Sequence, residues 1–84
     1  MAKKKAQKGI QMNRLRVILA EKNMEHKELA KLVNKTPATI TRICNNKTQP
    51  SLELIYKIAI ALGIEAKELL VPVSETGLHG KLQD

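Results

Sequence analysis

The 84-residue sequence has few aromatic side chains, one aspartate and one cysteine. It contains no Trp or Phe and one Tyr, so it lacks the rings on which single-stranded bases stack. A single thiol, Cys44, closes no disulfide and supplies too few ligands for a four-ligand zinc site. We therefore expect no metal and no cofactor. We also expect no enzymatic activity, because catalysis would depend on scattered Glu side chains and two His side chains.

Long apolar runs are also missing, and the four glycines are dispersed. No segment reaches the roughly 18–20 apolar residues that cross a bilayer, and Met1 and Ala2 are followed by three lysines rather than by an apolar stretch. We expect a cytoplasmic protein with no membrane partner. The dispersed glycines form no loop of the kind that binds phosphate groups. Hydrophobic residues make up 43% and charged residues 27%, which is typical of a single soluble domain.

Positive charge is in excess, with a net charge of +7. Segment 1–8 has four lysines and no acid, and segment 9–47 has eight bases against three acids. Segment 48–84 has three bases against five acids. One basic side indicates a polyanionic partner, although a solvated lysine-rich surface would have the same composition. An anionic membrane fits less well, because no amphipathic helix with aromatic anchors accompanies the lysines.

Apolar spacing predicts an all-α fold, a compact bundle of about five short helices. The residues expected inside the first, second and fourth helices are Met12, Leu15, Ile18 and Leu19, then Leu29, Ala30 and Val33, then Leu52, Ile55, Ile58, Ala59 and Leu62. Ser51 is expected to cap the fourth helix and Gly63 to end it, before a short final turn. The domain is expected to span 10–71. Segment 1–9 is expected to be a disordered basic arm, and segment 72–84 a tail that buries little.

The predicted third helix has the clearest start. Thr36 is a favoured N-cap, and Pro37 suits the first helical position because its missing N–H would be unpaired there. A helix over about 37–45 places Ile40, Ile43 and Cys44 on one side. Its other side carries Ala38, Thr41, Arg42 and Asn45. Segment 26–45 therefore fits a helix-turn-helix whose second helix can enter a major groove, although an ordinary helix pair has the same periodicity.

The stretch 26–50 resembles the Cro/repressor-type helix-turn-helix family, also called XRE or lambda-repressor-like. The residues that match its pattern without a gap are Leu29, Ala30, Thr36, Ile40, Ile43 and Pro50. With the first and fourth helices included, the resemblance covers about 10–70. Two family glycines are replaced by Asn34 and Asn46, which tolerate a left-handed backbone. A charged pair common in the family falls at Leu19 and Cys44, and these two apolar residues are expected to be buried.

The resemblance implies a sequence-specific transcription regulator that binds double-stranded DNA, usually as a homodimer. It implies that the third helix contacts bases through Pro37, Ala38, Thr39, Thr41 and Arg42. Arg42 is the foremost candidate, because a guanidinium can bond to guanine O6 and N7, although a phosphate contact or a surface ion pair also fits it. The candidates for sugar–phosphate contacts are His26, Lys27, Asn45, Asn46, Lys47 and Thr48.

Two other functions remain compatible with the sequence. One is an antitoxin that binds its own operator and a toxin, with segment 73–84 facing the toxin. The other is a basic protein-interaction module without specific DNA recognition. Leu54 and Ile60, off the predicted core stripe of the fourth helix, and segment 69–73 are candidate dimer surfaces.

Overall fold

The computed structural model describes residues 10–78, and four α-helices and two 3₁₀ turns make up the fold. The helices are α1 (Leu15–Glu21), α2 (His26–Leu32), α3 (Pro37–Cys44) and α4 (Leu52–Leu62), and the 3₁₀ turns are Ala66–Leu69 and Val73–Glu75. The predicted all-α fold is confirmed, and the expected fifth helix is the first of the 3₁₀ turns. The arm 1–9 and the end of the tail, 79–84, lie outside the described residues.

The hydrophobic core lies between the four helices and is completed by the first 3₁₀ turn. Its buried members are Leu15, Ile18, Leu19, Leu29, Ala30, Val33, Ile40, Ile43, Cys44, Leu54, Ile58, Ala59, Leu62 and Leu69. The expected inward residues of the second and third helices are therefore confirmed. Leu19 and Cys44 are 2% and 3% exposed, so both are buried as expected, on the contacting helices α1 and α3.

The predicted orientation of α4 is partly wrong. Leu52 was expected inside but is 69% exposed, whereas Leu54, a candidate for a dimer surface, is buried. Residues 54, 58 and 62 follow the i, i+4 spacing of a single helix face, and this face turns toward the core. Leu52 instead shares its face with Tyr56 and Ile60, which are also exposed.

All four helices end with the same pair of backbone hydrogen bonds, the Schellman motif. In each case a residue with a positive φ closes the helix. Asn23, Asn34 and Asn46 directly follow the C-caps of α1, α2 and α3, and Gly63 is the C-cap of α4. The expected left-handed conformation of Asn34 and Asn46 is confirmed, with φ of 58° and 54°. Asn23, with φ of 55°, has the same role and was not predicted. Asparagine stands at three of these four ends because, after glycine, it is among the residues that adopt the left-handed conformation most readily.

The segment before α1 is extended and pairs with the chain after α4. The Arg14 N–H donates to the Leu69 carbonyl at 2.8 Å, and the Gln11 N–H donates to the Thr76 carbonyl at 3.0 Å. Thr76 is buried, so the expected tail contacts the domain at this residue, whereas residues 72–75 are exposed, as expected for a tail that buries little. The expected domain boundary at residue 71 stays a prediction.

Candidate nucleic-acid interface

The outer face of α3 is capped, polar and free of core residues. The Thr36 hydroxyl accepts from the Thr39 N–H at 3.1 Å, which fixes the first turn, and the two threonine hydroxyls lie 3.0 Å apart. Thr39 is half-buried, and its hydroxyl is engaged with that of Thr36. The exposed residues of the face and its end are Pro37, Ala38, Thr41, Arg42 and Asn45. Four of the five proposed base-contacting residues therefore lie at the surface of a short, capped helix.

A hydrogen bond joins the start of α2 to the outer face of α3. His26 Nδ1 lies 2.8 Å from Thr41 Oγ1. His26 is half-buried and Thr41 is exposed. A candidate for phosphate contact and a candidate for base contact thus form one continuous surface, although they are 15 residues apart in sequence.

The three cations assigned to the interface differ in their surroundings. Within residues 10–78 the Arg42 guanidinium has no hydrogen bond or ion pair, so its donors are available to a ligand. Lys27 Nζ lies 3.6 Å from a carboxylate oxygen of Glu25, and both side chains are exposed. Such an exposed pair contributes little to stability, but the carboxylate reduces the local positive potential around Lys27. Lys47 is exposed in the loop that follows α3.

Asn46 is the expected phosphate-contacting residue whose side chain the structure uses internally. Its Oδ1 accepts from the Met12 N–H at 2.9 Å and from Gln49 Nε2 at 3.0 Å, with two N–H groups of Asn13 at 3.2 and 3.3 Å. Its Nδ2 donates to the Asn13 carbonyl at 3.3 Å. These bonds tie the loop after α3 to the segment before α1. We therefore leave Asn46 out of the proposed DNA contacts and keep its exposed neighbours Asn45, Lys47 and Thr48.

Sequence reasoning missed the partners of Asn46. Asn13 is 7% exposed and donates through Nδ2 to the Ile43 carbonyl at 3.0 Å and to Gln49 Oε1 at 2.9 Å. Its Oδ1 accepts from the Leu15 N–H at 3.0 Å, and this bond satisfies the first turn of α1. An asparagine two positions ahead of a helix commonly bonds to the nearby backbone in this way, but nothing in the spacing relates Asn13 to Asn46 or Gln49.

An open groove of about 630 Å³ lies between the segment around α1 and the end of α3. Arg14, Arg16 and Lys47 contribute to its lining, together with Asn45. The Arg14 guanidinium also donates to the Glu68 carbonyl at 3.2 Å, which holds this side chain against the first 3₁₀ turn. The positive charge predicted for the first half of the chain is thus continuous with the end of α3.

Cys44 lies beneath this groove on the inner side of α3. Burial raises the pKa of its thiol, and the nearby positive charge of Arg16 acts in the opposite, lowering direction. The thiol form is therefore favoured, and since the thiolate is the nucleophile, Cys44 is expected to be chemically inert.

No helix in residues 10–78 is long and apolar enough to cross a bilayer. Across the same residues, no three His, Cys, Asp or Glu side chains are grouped so that they could hold a metal ion.

Comparison with known proteins identifies the family. A family model described as helix-turn-helix matches residues 15–69. A crystal structure of a Bacteroides fragilis protein to which DNA binding has been ascribed is 40% identical, covers 73% of this chain and 100% of its own, and superposes with a TM-score of 0.69. The clp gene regulator ClgR from C. glutamicum is 25% identical, with 66% and 71% of the two chains covered and a TM-score of 0.62. No curated protein matches the sequence. The chain belongs to the XRE-type helix-turn-helix family.

Proposed function

We propose that this protein is a transcription regulator that binds specific sites in double-stranded DNA by placing α3 in the major groove. The observation that carries the proposal is the outer face of α3, which is capped, exposed and joined through Thr41 to His26 at the start of α2. An α-helix fits a major groove about 12 Å wide. The similarity to a regulator and to a protein with an ascribed DNA-binding role supports the same function.

The proposed contacts divide into two classes. Base contacts are assigned to the exposed residues of α3, and contacts with the sugar–phosphate chain to residues around it. The base-contacting set is Pro37, Ala38, Thr41 and Arg42, with Thr39 supporting the first turn, and the phosphate-contacting set is His26, Lys27, Asn45, Lys47 and Thr48. Phosphate contacts position a protein on the duplex, whereas base contacts determine which sequence it prefers.

The two classes predict different results for two neighbouring cations. Replacing Arg42 with alanine is expected to cost ~1–3 kcal/mol on the preferred site and to broaden the preference at one base pair per half-site, because a bidentate base contact is lost. Replacing Lys47 with alanine is the matched control. It is expected to weaken all sequences about equally and to flatten the dependence of affinity on salt by about one released counterion.

The measurement is a selection of binding sites from random duplex DNA, run in parallel on the parent and both variants, followed by titrations at several salt concentrations. A third variant lacks residues 2–8. It should bind both specific and non-specific DNA more weakly and still select the same sequence. An unchanged preference for Arg42→Ala, with an altered preference for the shortened chain, would assign base recognition to the arm instead of α3. Affinity that does not respond to salt would argue against any nucleic-acid partner.

We propose that two copies bind one site, because the resemblance implies paired half-sites and α4 offers a surface for a second copy. Leu52, Tyr56 and Ile60 form an exposed apolar stripe on α4, and Ile60 is 80% exposed. Beside Ile60 lies a shallow groove of about 350 Å³ whose lining includes Leu32 and Ala61. Under a two-fold axis each Ile60 can enter the groove of the other copy.

Charged residues next to the stripe also support a second copy of the chain as its partner. Glu53 and Lys57 lie on the flank of this stripe, 3.4 Å apart, and can exchange partners across the two-fold axis. In segment 69–73 Leu69 is buried in the core, whereas Leu70 and Val73 are exposed, so this second candidate dimer surface stays a prediction.

Native mass spectrometry on the selected duplex tests the assembly. Two copies per palindromic site are expected, and Ile60→Glu should reduce the complex to one copy without unfolding the protein. One copy on the parent's site would contradict the dimer. If a second small protein instead accompanies the chain from its source cells, the antitoxin function would replace the simple regulator.

A further inference from the structure

The hydrogen bond between His26 and Thr41 restricts what the Thr41 hydroxyl can offer to a ligand. At 2.8 Å between Nδ1 and Oγ1, one hydrogen atom lies between the two groups. A neutral imidazole carries its proton on one nitrogen only, so the bond has two forms. In one form the threonine O–H donates to Nδ1 and the imidazole proton is on Nε2. In the other form Nδ1–H donates to the threonine oxygen, and Nε2 is an acceptor.

A phosphate next to His26 selects between these forms. The second ring nitrogen, Nε2, has no hydrogen-bond partner within residues 10–78, so it is free for a ligand. Only an Nε2–H group can donate to a phosphate oxygen, whereas an Nε2 lone pair would face a negative charge. In the neutral imidazole, contact with the DNA backbone therefore places the proton on Nε2 and makes Nδ1 the acceptor. The only hydrogen of the Thr41 hydroxyl is then used inside the protein.

We propose that His26 commits the Thr41 hydroxyl to accepting a hydrogen bond, so that Thr41 recognises an exocyclic amino group, adenine N6 or cytosine N4. These are the two hydrogen-bond donors that base edges present in the major groove. A free threonine hydroxyl would both donate and accept and would discriminate poorly between base edges. This inference rests on the proposed function, because it requires α3 in the groove and a phosphate beside His26. His26 is thus a positioning residue for specificity.

Every base pair presents both an amino group and a carbonyl oxygen or ring nitrogen in the major groove, so exchanging one base pair for another changes both kinds of group. The test therefore removes single chemical groups from the bases. On the site selected by the parent protein, each adenine is replaced by purine and each cytosine by 2-pyrimidinone, which removes the amino group alone. Dissociation constants are measured at pH 8, where histidine side chains are ordinarily neutral. At one position, loss of the amino group should weaken the parent about five- to tenfold.

Three protein variants test whether Thr41 and His26 are responsible for the effect at that base. Thr41→Val keeps the shape of the side chain without the hydroxyl, and it should respond less than about twofold to the same base change. His26→Ala frees the hydroxyl to rotate, so it should lose most of the response to amino removal and also bind all sequences more weakly. His26→Gln should restore the response, because an amide can accept from Thr41 and donate to phosphate. Thermal unfolding of each variant confirms that it is folded.

The outcomes separate this inference from the proposed function. If a site is selected but Thr41→Val instead loses the response to removal of a carbonyl oxygen, through 2-aminopurine or 5-methyl-2-pyrimidinone, the assigned polarity is wrong. If His26→Ala still loses as much affinity as the parent when the amino group is removed, His26 does not determine the polarity of the Thr41 hydroxyl. If the parent loses no affinity on removal of any amino group, Thr41 does not contact an amino group at all. If no sequence is selected by the parent protein, the proposed function fails and the inference fails with it.

Discussion

Replacing Asn46 with glycine is expected to lower the free energy of unfolding by about 2–3 kcal/mol, although glycine suits the backbone there better than any other residue. The residue has φ of 54°, so the backbone alone would favour the change. The side chain decides the result. Removing its amide leaves the Met12 N–H and Gln49 Nε2 without the oxygen that accepts from them at 2.9 and 3.0 Å. These groups are partly buried, so water replaces the lost oxygen incompletely.

Asn34→Gly is the matched control, because Asn34 has the same left-handed backbone without the same bonds. Its φ is 58°, it is exposed, and within residues 10–78 its side chain has no hydrogen-bond partner. Glycine there should leave stability unchanged or raise it by up to about 1 kcal/mol, because the strain on a Cβ disappears. Urea unfolding followed by circular dichroism measures both variants. Equal effects at the two positions would show that the Asn46 amide adds nothing to stability.

The Asn46 network also positions the proposed interface. It holds the loop after α3 against the segment before α1, and that loop carries Lys47 and Thr48. The Lys47 N–H donates to the Arg42 carbonyl at 2.9 Å, so the same loop closes the end of α3. A phosphate contact from a loop held in this way costs less ordering on binding than one from a free loop. Asn46→Gly should therefore weaken DNA binding beyond its effect on the folded fraction.

The helices could be predicted from the sequence because their signals are local. Thr36 followed by Pro37 fixes where α3 begins, and the spacing of Ile40, Ile43 and Cys44 fixes which side is buried. The orientation of α4 was harder to predict, since its sequence is apolar on nearly every side. Leu52 and Leu54 are the same residue type, and only the packing of the other helices decides which of them is buried.

The parts of the site that could not be predicted depend on contacts between distant residues. Asn13 and Asn46 are 33 residues apart, and His26 and Thr41 are 15 apart. The resemblance assigned His26, Thr41 and Asn46 to DNA contacts one by one, and Asn13 carried no prediction. Periodicity states which side of an element faces outward, but it does not state which two outward or half-buried side chains meet. These hydrogen bonds therefore became visible only in the structure.

Replacing Cys44 with glutamate is expected to destabilise the protein by about 3–5 kcal/mol, because a buried carboxylate would have no partner. The residue is 3% exposed. The positive charge of Arg16 acts on this position, but Arg16 is exposed and water screens its attraction, so it does not offset the burial. Because Cys44 is buried, its native thiol should also react slowly with a bulky labelling reagent. Rapid labelling in native buffer would contradict its burial.

The double variant Leu19→Arg with Cys44→Glu is the decisive companion, since it recreates the charged pair that the family commonly places at these two positions. Leu19 is 2% exposed, and α1 and α3 are in contact, so the two new groups would face each other across the core. Either single change leaves a buried charge alone, whereas the pair satisfies both charges. The double variant should therefore lose less stability than the sum of the two single losses, by about 1–3 kcal/mol of coupling energy in a double-mutant cycle. Cys44→Ala, which removes the sulfur without adding charge, should cost only about 1–2 kcal/mol. Strictly additive losses in the cycle would mean that Leu19 and Cys44 do not face each other.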